Sequence, residues 1–465
     1  MKQWAQTDWR KWIPIIVLSG FCFFFYFSTL GRWELRKPDE IRYAQVAREM
    51  VEGRDWVSLQ LYGKPYVEKP PLFFWLVALS YYLWQGFTSF SARFPSALFG
   101  TFTVLITFFI GKNLFDSRTG FFSGLILATS FLFARFSTRA NIDATLTFFI
   151  TASLFCFIQW YQRDDEKKKV RELFIYGFYI GMGLGTLTKG PIGFILPLLV
   201  SLVYLAIRKD WQGMKGMKIP SGMFLLLIIV LSWYVPAAFK GGEGYVDQTL
   251  IHRTIGYYAE GWMHRKPIYF YLSNFPADFL PWILFLPGAI AYCFTKEADG
   301  KKKEFLFLLL WFIVIFLFFT FSKTKRDLYL LPLYPAVSLM IGKLWGDFSL
   351  NRVERFRRGW VSLPLHGFVV WTCVAGGVVL WLAYKKFPSH WLITLVIACF
   401  LLGGCLGLFF LYRSKKYSAV FLLLVGMAGL MFLYTETFLF YWDHRFTSAF
   451  FVIHEMKKEI GLFFP

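Results

Sequence analysis

Charge and cysteine are both scarce in this chain of 465 residues. Charged residues make up 17% of the sequence, whereas soluble domains carry about 25%. The few charges fall in short intervals between apolar runs, which leaves no room for a large soluble domain. The six cysteines lie inside apolar runs without paired spacing. They indicate small core residues and not a disulfide framework or a metal site.

Acidic residues are scarcer than basic ones. The chain has 29 Asp and Glu against 50 Lys and Arg, a formal net charge of +21. Membrane proteins retain such an excess in their cytoplasmic loops and against anionic lipid head groups. No basic patch lies on a soluble module, so a nucleic-acid partner is not expected.

Apolar residues dominate instead, at 57% of the chain. Apolar runs of about 18 to 22 residues recur from end to end, and each is long enough to cross a bilayer. The sequence therefore predicts an all-α polytopic membrane protein with about thirteen transmembrane helices. The predicted spans are 13–30, 94–114, 119–135, 144–162, 173–188, 191–207, 221–239, 278–295, 304–321, 328–345, 361–384, 391–412 and 418–440.

The apolar segment 71–86 decides the topology. Lys2, Arg10 and Lys11 precede the first span and predict a cytoplasmic amino terminus. The strongly basic intervals all fall inside the cell only if 71–86 does not span; they are 163–171, 208–218, 296–303, 352–358 and 413–416. We therefore predict a surface or re-entrant helix there, a first outer loop at 31–93, and an external tail at 441–465 too short for a sizeable soluble domain.

The first outer loop holds an unusually polar interval, 36–71. Asp39 and Arg42 are one turn apart on a predicted short helix, and a carboxylate beside an arginine stays ionised. Lys69 is fixed by the two prolines that follow it, which suits a phosphate ligand. Glu68 either pairs with Lys69 or ligates a divalent ion. A helix cap with a salt bridge, and a membrane-interface lysine, are the alternative interpretations.

Other outer loops add charge next to apolar helices. Asp143, close to Arg139, begins a long apolar helix as a functional residue or as a cap. Lys189 stands in a tight Gly-Pro turn. A compact basic turn contains Lys323, Lys325 and Arg326. A phosphate or diphosphate on a lipid is the predicted partner of these cations. In loop 240–277, His252 and Arg253 are candidates for binding a sugar or head group, or are surface residues.

Three spaced motifs together resemble a known family. They are Asp39-Glu40 with Arg42-Tyr43-Ala44, Glu68-Lys69-Pro70-Pro71, and Arg93-Phe94-Pro95-Ser96-Ala97. The set is similar to the lipid A aminoarabinose transferases, which belong to the protein-mannosyltransferase-like group of GT-C membrane glycosyltransferases. Asp143 and the turn at 188–191 resemble further elements of that group. The similarity is strongest over residues 31–192 and looser to about residue 345.

The resemblance implies a GT-C fold whose domain covers residues 1–440, with the first outer loop as the catalytic loop and outer-face juxtamembrane helices within it. It implies an inverting glycosyltransferase at the periplasmic face of the bacterial inner membrane. The donor would be a sugar on undecaprenyl or another polyprenyl phosphate, for example 4-amino-4-deoxy-L-arabinose. The acceptor would be lipid A or another envelope glycolipid. A protein acceptor, or a non-catalytic transporter of lipid-linked sugars, are the alternatives.

The resemblance and the residues themselves together predict roles. Catalytic carboxylates would be Asp39, Glu40 and Asp143. Donor-phosphate ligands would be Arg42, Lys69, Lys189, Lys323, Lys325 and Arg326. Substrate-binding residues would be Tyr43, Glu68, Arg139, His252 and Arg253. No cofactor is required by the sequence; for a divalent cation, Glu68 and His252 are the candidate ligands, although their spacing forms no metal-binding pattern.

Overall fold

The computed structural model describes residues 11–163, 168–241, 266–386 and 391–437. Their regular secondary structure is helical apart from one short β-hairpin. The helices are α1 (Ile13–Cys22, continued by a π-helical turn, Phe23–Phe27), α2 (Asp39–Glu52), α3 (Leu72–Leu83), α4 (Ser89–Leu114), α5 (Ser117–Thr129), α6 (Phe131–Ser137), α7 (Ile142–Gln162), α8 (Lys168–Lys189), α9 (Ile192–Ile207), α10 (Trp211–Gly216), α11 (Ile219–Gly241), α12 (Phe270–Asp278), α13 (Leu286–Tyr292), α14 (Lys302–Phe321), α15 (Tyr334–Ser349), α16 (Gly359–Lys386), α17 (Trp391–Arg413) and α18 (Tyr417–Thr437). Short 3-10 helices occupy Trp282–Phe285, Lys296–Lys301, Asp327–Leu333 and Arg355–Arg358.

The predicted membrane class is confirmed. Within the described ranges, 8 helices are long and apolar enough to cross a membrane, or 10 if each of two bent pairs counts as one span. The pairs are α5 with α6, bent by 72°, and α12 with the segment Trp282–Tyr292, bent by 109°. Twelve of the predicted spans overlap one of these helices, a bent pair or a shorter apolar helix. The remaining one, 173–188, overlaps α8, which has 22 residues but is not among the 8. The count of about thirteen spans stays a prediction.

The first outer loop folds as a small layer of its own. Helix α2, strands β1 (Gln60–Leu61) and β2 (Lys64–Pro65), and helix α3 follow one another, and the strands pair antiparallel. Tyr43 and Val46 of α2 share a buried apolar cluster with Phe73 and Phe74 of α3, and Trp233 of α11 joins it. This packing holds the polar residues of the loop against the helical bundle.

Helix α3 is too short to cross a bilayer on its own. Its 12 residues extend about 18 Å, whereas the hydrocarbon core is about 30 Å thick. One face is buried, while Leu79, Tyr82 and Leu83 are 56%, 56% and 64% exposed. A short helix with one buried and one exposed apolar face agrees with the surface or re-entrant helix that the basic loops predict.

Helices α8 and α9 form a tight hairpin. The turn between them contains Gly190, whose φ of +84° is readily adopted only by glycine. The two backbones then approach so closely that a Cβ on Gly193 would lie 2.1 Å from the carbonyl carbon of Gly185. The glycines therefore let the helices meet, and the turn places Lys189 at the end of α8.

Candidate active site

Asp39 lies between two arginines from distant parts of the chain. Its Oδ1 accepts a hydrogen bond from Arg42 Nη2 at 2.5 Å, and its Oδ2 accepts one from Arg326 Nη2 at 2.7 Å. Asp39 and Arg42 are three residues apart in the first turn of α2, so they share one face. Arg326 comes from the turn after α14 and immediately precedes a 3-10 helix. Both carboxylate oxygens are therefore engaged by guanidinium groups.

These contacts determine the charge of Asp39. Partial burial raises the pKa of a carboxyl group, but the hydrogen bonds and positive charges of Arg326 and then Arg42 outweigh that effect and lower the pKa of Asp39. The carboxylate is consequently ionised at neutral pH, as the sequence predicts. A base with a lowered pKa accepts a proton less readily than an unperturbed one.

Glu68 and Lys69 bring the second motif to the same place. Arg42 Nη1 donates a hydrogen bond to Glu68 Oε2 at 3.0 Å, so Arg42 bridges the two motifs. Burial and, next, the positive charge of Lys189 lower the pKa of Lys69 to about 8, while the charges of Asp143 and Glu68 act in the opposite direction. Lys69 is thus a cation at neutral pH that loses its charge only slightly above it.

Asp143 and Lys189 form the third part. The Asn141 side chain caps α7 by accepting a hydrogen bond from the Asp143 backbone amide, which leaves the Asp143 carboxylate to pair with Lys189 Nζ. The cap is therefore Asn141, and Asp143 stands in the first turn, 5% exposed. Lys189 Nζ also lies 4.3 Å from the centroid of the Tyr329 ring.

Seven of the predicted site residues thus gather at one end of the bundle: Asp39, Arg42, Glu68, Lys69, Asp143, Lys189 and Arg326. They come from α2, the segment before α3, the start of α7, the end of α8 and the turn after α14. Four cations stand beside three carboxylates in a partly buried position. Such an arrangement can bind a phosphate and hold ionised carboxylates next to it.

Tyr43 and Glu40 lie beside this cluster but do not line it. Tyr43 is 5% exposed and packs edge-on against Phe73 and Phe74, with Arg42 above its ring. Glu40 is buried, and its carboxylate accepts two hydrogen bonds from Arg93, each 2.8 Å. The backbone amides of Arg36 and Ala140 donate to the same carboxylate. These contacts fit a positioning role for Glu40; its predicted catalytic role is not tested by them.

The three cations of the basic turn after α14 do not all lie in the cluster. Arg326 joins the cluster, whereas Lys325 is buried and donates to the carbonyl oxygens of Ser322 and Lys266. Lys323 is exposed and borders a separate cavity with Lys266 and Lys325. Their predicted part in donor-phosphate binding stays a prediction. Loop residues His252 and Arg253 lie outside the described residues.

Arg139 belongs to a second group of charges. It donates to Glu436 at 2.9 Å, and Arg135 and Arg36 also pair with Glu436 at 3.2 and 3.5 Å. Sequence reasoning did not single out Glu436. Its position at the end of an apolar helix was a signal, since an ionisable residue there is a functional candidate by default.

A metal centre has no support among the residues that the structure describes. In these ranges no three or more His, Cys, Asp or Glu side chains are grouped so as to hold a metal ion. Glu68, one of the two candidate ligands, pairs with Arg42. The other, His252, is outside the described ranges.

Comparisons with known proteins find similar sequences and a similar fold. The family model described as dolichyl-phosphate-mannose-protein mannosyltransferase matches residues 68–235. An uncharacterized protein of Aquifex aeolicus is 31% identical, over 74% of this chain and 64% of its own length. An undecaprenyl phosphate-alpha-4-amino-4-deoxy-L-arabinose arabinosyl transferase of Pseudomonas aeruginosa is 29% identical, over 72% of this chain and 59% of its own. This chain therefore spans about three-fifths of the length of these relatives.

A solved structure shares the fold. ArnT from Cupriavidus metallidurans, crystallised with undecaprenyl phosphate, superposes with a TM-score of 0.75 and 23% identity, over 92% of this chain and 78% of that one. The chain is thus a multi-pass membrane protein with the GT-C glycosyltransferase fold. Its sequence is similar to those of undecaprenyl phosphate-aminoarabinose arabinosyl transferases, in agreement with the resemblance carried by its motifs.

Proposed function

We propose that the protein is an inverting glycosyltransferase of the periplasmic face of the bacterial inner membrane. It transfers a sugar, 4-amino-4-deoxy-L-arabinose or a related one, from undecaprenyl phosphate to lipid A or another envelope glycolipid, and so modifies lipopolysaccharide. The observation that carries the proposal is the ionised Asp39 between Arg42 and Arg326, with Lys69 and Lys189 beside them. The names of the relatives support the donor.

The cations of the candidate site can stabilise the negative charge of the departing phosphate. In the transfer, the bond between the anomeric carbon and the donor phosphate oxygen breaks, and its electron pair stays on the phosphate. Arg42, Lys69 and Arg326 stabilise that growing negative charge, and pre-oriented charges of this kind often contribute more to the rate than any other effect in an active site. The acceptor oxygen attacks the opposite side of the anomeric carbon, so the configuration inverts.

The surroundings of Asp39 favour an acceptor that is already an anion. Both of its oxygens accept hydrogen bonds from arginines and its pKa is lowered, so it is poorly suited to remove a proton from a hydroxyl. A glycolipid phosphate needs no such base. Asp39 then orients Arg42 and Arg326 and balances their charge. This supports a phosphate acceptor over the hydroxyl of a protein side chain.

The substitution Asp39→Asn tests the function. It removes the charge that orients both arginines, and we expect transfer from undecaprenyl-phosphate sugar to lipid A in proteoliposomes to fall about 100- to 1,000-fold or more. Glu52→Gln is the matched control, because Glu52 is exposed on the same helix and pairs only with Arg48 among its described partners. Unchanged transfer by the folded Asp39→Asn protein, or donor movement across the membrane without any glycosylated product, would contradict the proposal.

A further inference from the structure

A second pocket includes Arg93, the partner of Glu40, in its lining. It has a volume of about 230 Å³ and lies between the end of α1, the segment before α2 and the end of α18. Its charged lining consists of Arg32, Arg36, Arg93, Arg139 and Glu436. We call it the arginine pocket. The catalytic cluster described above uses none of these residues.

Among the described residues that line the arginine pocket, four are arginines and one, Glu436, is acidic. Arg93 is fully paired with Glu40, but Arg36, Arg139 and the adjoining Arg135 all share the single carboxylate of Glu436. The buried Nε atom of Arg139 makes no hydrogen bond. A guanidinium group has five N–H donors, and unfulfilled donors withdrawn from water are costly. The pocket is therefore suited to a further anion with several acceptor oxygens, such as a phosphate.

The walls of the pocket indicate that this phosphate is carried by a lipid. Phe432 and Leu433 form an apolar side, and Ser28 and Thr29 a hydroxyl-bearing one. One turn before Ser28, Phe24 is 75% exposed on the outer face of α1. In a membrane-spanning helix such a face contacts acyl chains. A head group in the pocket would thus have its chains against α1.

Backbone contacts connect the arginine pocket to the catalytic cluster. The amides of Arg36 and Ala140 donate to Glu40 at 2.8 and 2.7 Å, so Glu40 fixes the segments that carry Arg36 and Arg139. Asp39 immediately precedes Glu40 in α2. The pocket and the catalytic cluster are therefore joined through two consecutive residues of α2.

We propose that the arginine pocket anchors the acceptor by binding a phosphate of the glycolipid head group, apart from the donor phosphate held by Lys69 and Arg42. This inference rests on the proposed function for the identity of the ligand as acceptor. Glu436 serves as an internal counter-ion that occupies the guanidinium groups until the lipid phosphate takes its place.

Lipid binding without any sugar donor tests the proposal, since it does not depend on transfer. Native mass spectrometry of the full protein in phosphatidylcholine nanodiscs would measure binding of lipid A, dephosphorylated lipid A, phosphatidylglycerol and undecaprenyl phosphate. We expect lipid A to bind at least ~10-fold more tightly than its dephosphorylated form. The double variant Arg36→Gln, Arg139→Gln should lose that preference while its undecaprenyl-phosphate binding is unchanged.

Two further variants separate a ligand site from a structural one. Glu436→Gln should strengthen lipid A binding, because it removes the competing carboxylate; a purely structural cluster would be weakened instead. Arg48→Gln, an exposed arginine on α2 paired with Glu52, should change nothing. Equal loss of both lipids in the double variant, weaker binding in the folded Glu436→Gln protein, or phosphatidylglycerol binding as tightly as lipid A would overturn the proposal. Absence of transfer with this binding pattern intact would contradict only the proposed function.

Discussion

Asp39 and Glu40 are neighbours with opposite surroundings. Asp39 is partly exposed, and the two cations it contacts, Arg42 and Arg326, both lie in the candidate site. Glu40 points into the protein, where Arg93 and two backbone amides satisfy it. Consecutive residues at the start of a helix diverge by about 100°, since an α-helix has 3.6 residues per turn. The geometry therefore separates a carboxylate of the candidate site from a buried one that is paired within the protein.

Glu40→Gln tests that separation. It leaves the buried Arg93 without its counter-charge, and breaking a buried pair costs about 3–5 kcal/mol. Burial alone would raise the pKa of Glu40, but Arg93 outweighs it and lowers the pKa. The pairing thus stabilises the fold above the ordinary pKa of 4.5 and is lost in acid. Thermal unfolding of the purified protein should show the loss at pH 7.

The control is Arg48→Gln, which removes an exposed pair worth about 0–1 kcal/mol. A Glu40→Gln protein that unfolds like the native one yet has no transferase activity would instead favour a catalytic role for Glu40.

Lys69 predicts a pH dependence. With burial and Lys189 lowering its pKa to about 8, Lys69 is charged below that pH and becomes neutral as the pH rises through it. The neutral amine attracts phosphate less, so the apparent KM for the donor should rise about tenfold between pH 7 and 9. Initial rates at varied donor concentration would measure it.

Lys69→Arg should flatten this profile, because arginine keeps its charge above pH 12. A native KM that is level across this range, or a pH dependence of the KM that persists in the Lys69→Arg variant, would show that another group is responsible.

At the scale of elements, the α8–α9 hairpin positions Lys189. The close approach of Gly185 and Gly193 and the left-handed Gly190 determine where α8 ends. Helix association in membranes relies on small residues of this kind, since lipid supplies no hydrophobic driving force between helices. The position of Lys189 consequently depends on the packing of these three glycines.

Gly193→Ala should destabilise the protein by about 1–3 kcal/mol, as overpacked cores do. Its Cβ would lie 2.1 Å from the backbone carbonyl carbon of Gly185, so the helices must separate. Gly376→Ala in α16 is the matched control, because nothing lies within 4 Å of its Cβ position. Thermal unfolding should show a loss for the first variant alone. Equal stability of the two would mean that the hairpin tolerates separation.

At the scale of the whole molecule, whether α3 crosses the membrane determines on which side of the membrane every later loop lies. Helix α3 is too short to span, and the site residues from α2, α7, α8 and the turn after α14 meet at one end of the bundle. If α3 crossed the membrane, the loops before and after it would lie on opposite sides.

Single cysteines in a background without the six native ones, which are all unpaired, would test this topology. Tyr62→Cys and Gln85→Cys, before and after α3, should both react with a membrane-impermeant maleimide added to the periplasmic side. Lys415→Cys should react only after the membrane is opened. Labelling of Tyr62→Cys from the periplasmic side, with Gln85→Cys reacting only after the membrane is opened, would show that α3 spans.

Local sequence determined the positions of the helices and most residues of the candidate site. Apolar runs predict the positions of the helices because a span must be about 20 residues long. The pairing of Asp39 with Arg42 follows from their spacing within one helical turn. The motifs in the first 192 residues predict the class and, with the basic turn at 323–326, seven of the residues that meet at the candidate site.

Only the tertiary structure decided which distant groups meet. Arg326 reaches Asp39 across 287 positions, and Arg139 reaches Glu436 across 297. It also turned Glu40 away from the cluster and separated Lys325 from Arg326. Periodicity and spacing describe contacts within one helix, whereas a contact between helices depends on how whole faces pack. The partners of charged residues such as Asp39 and Arg139 are therefore determined only by the packing of the helices in the folded protein.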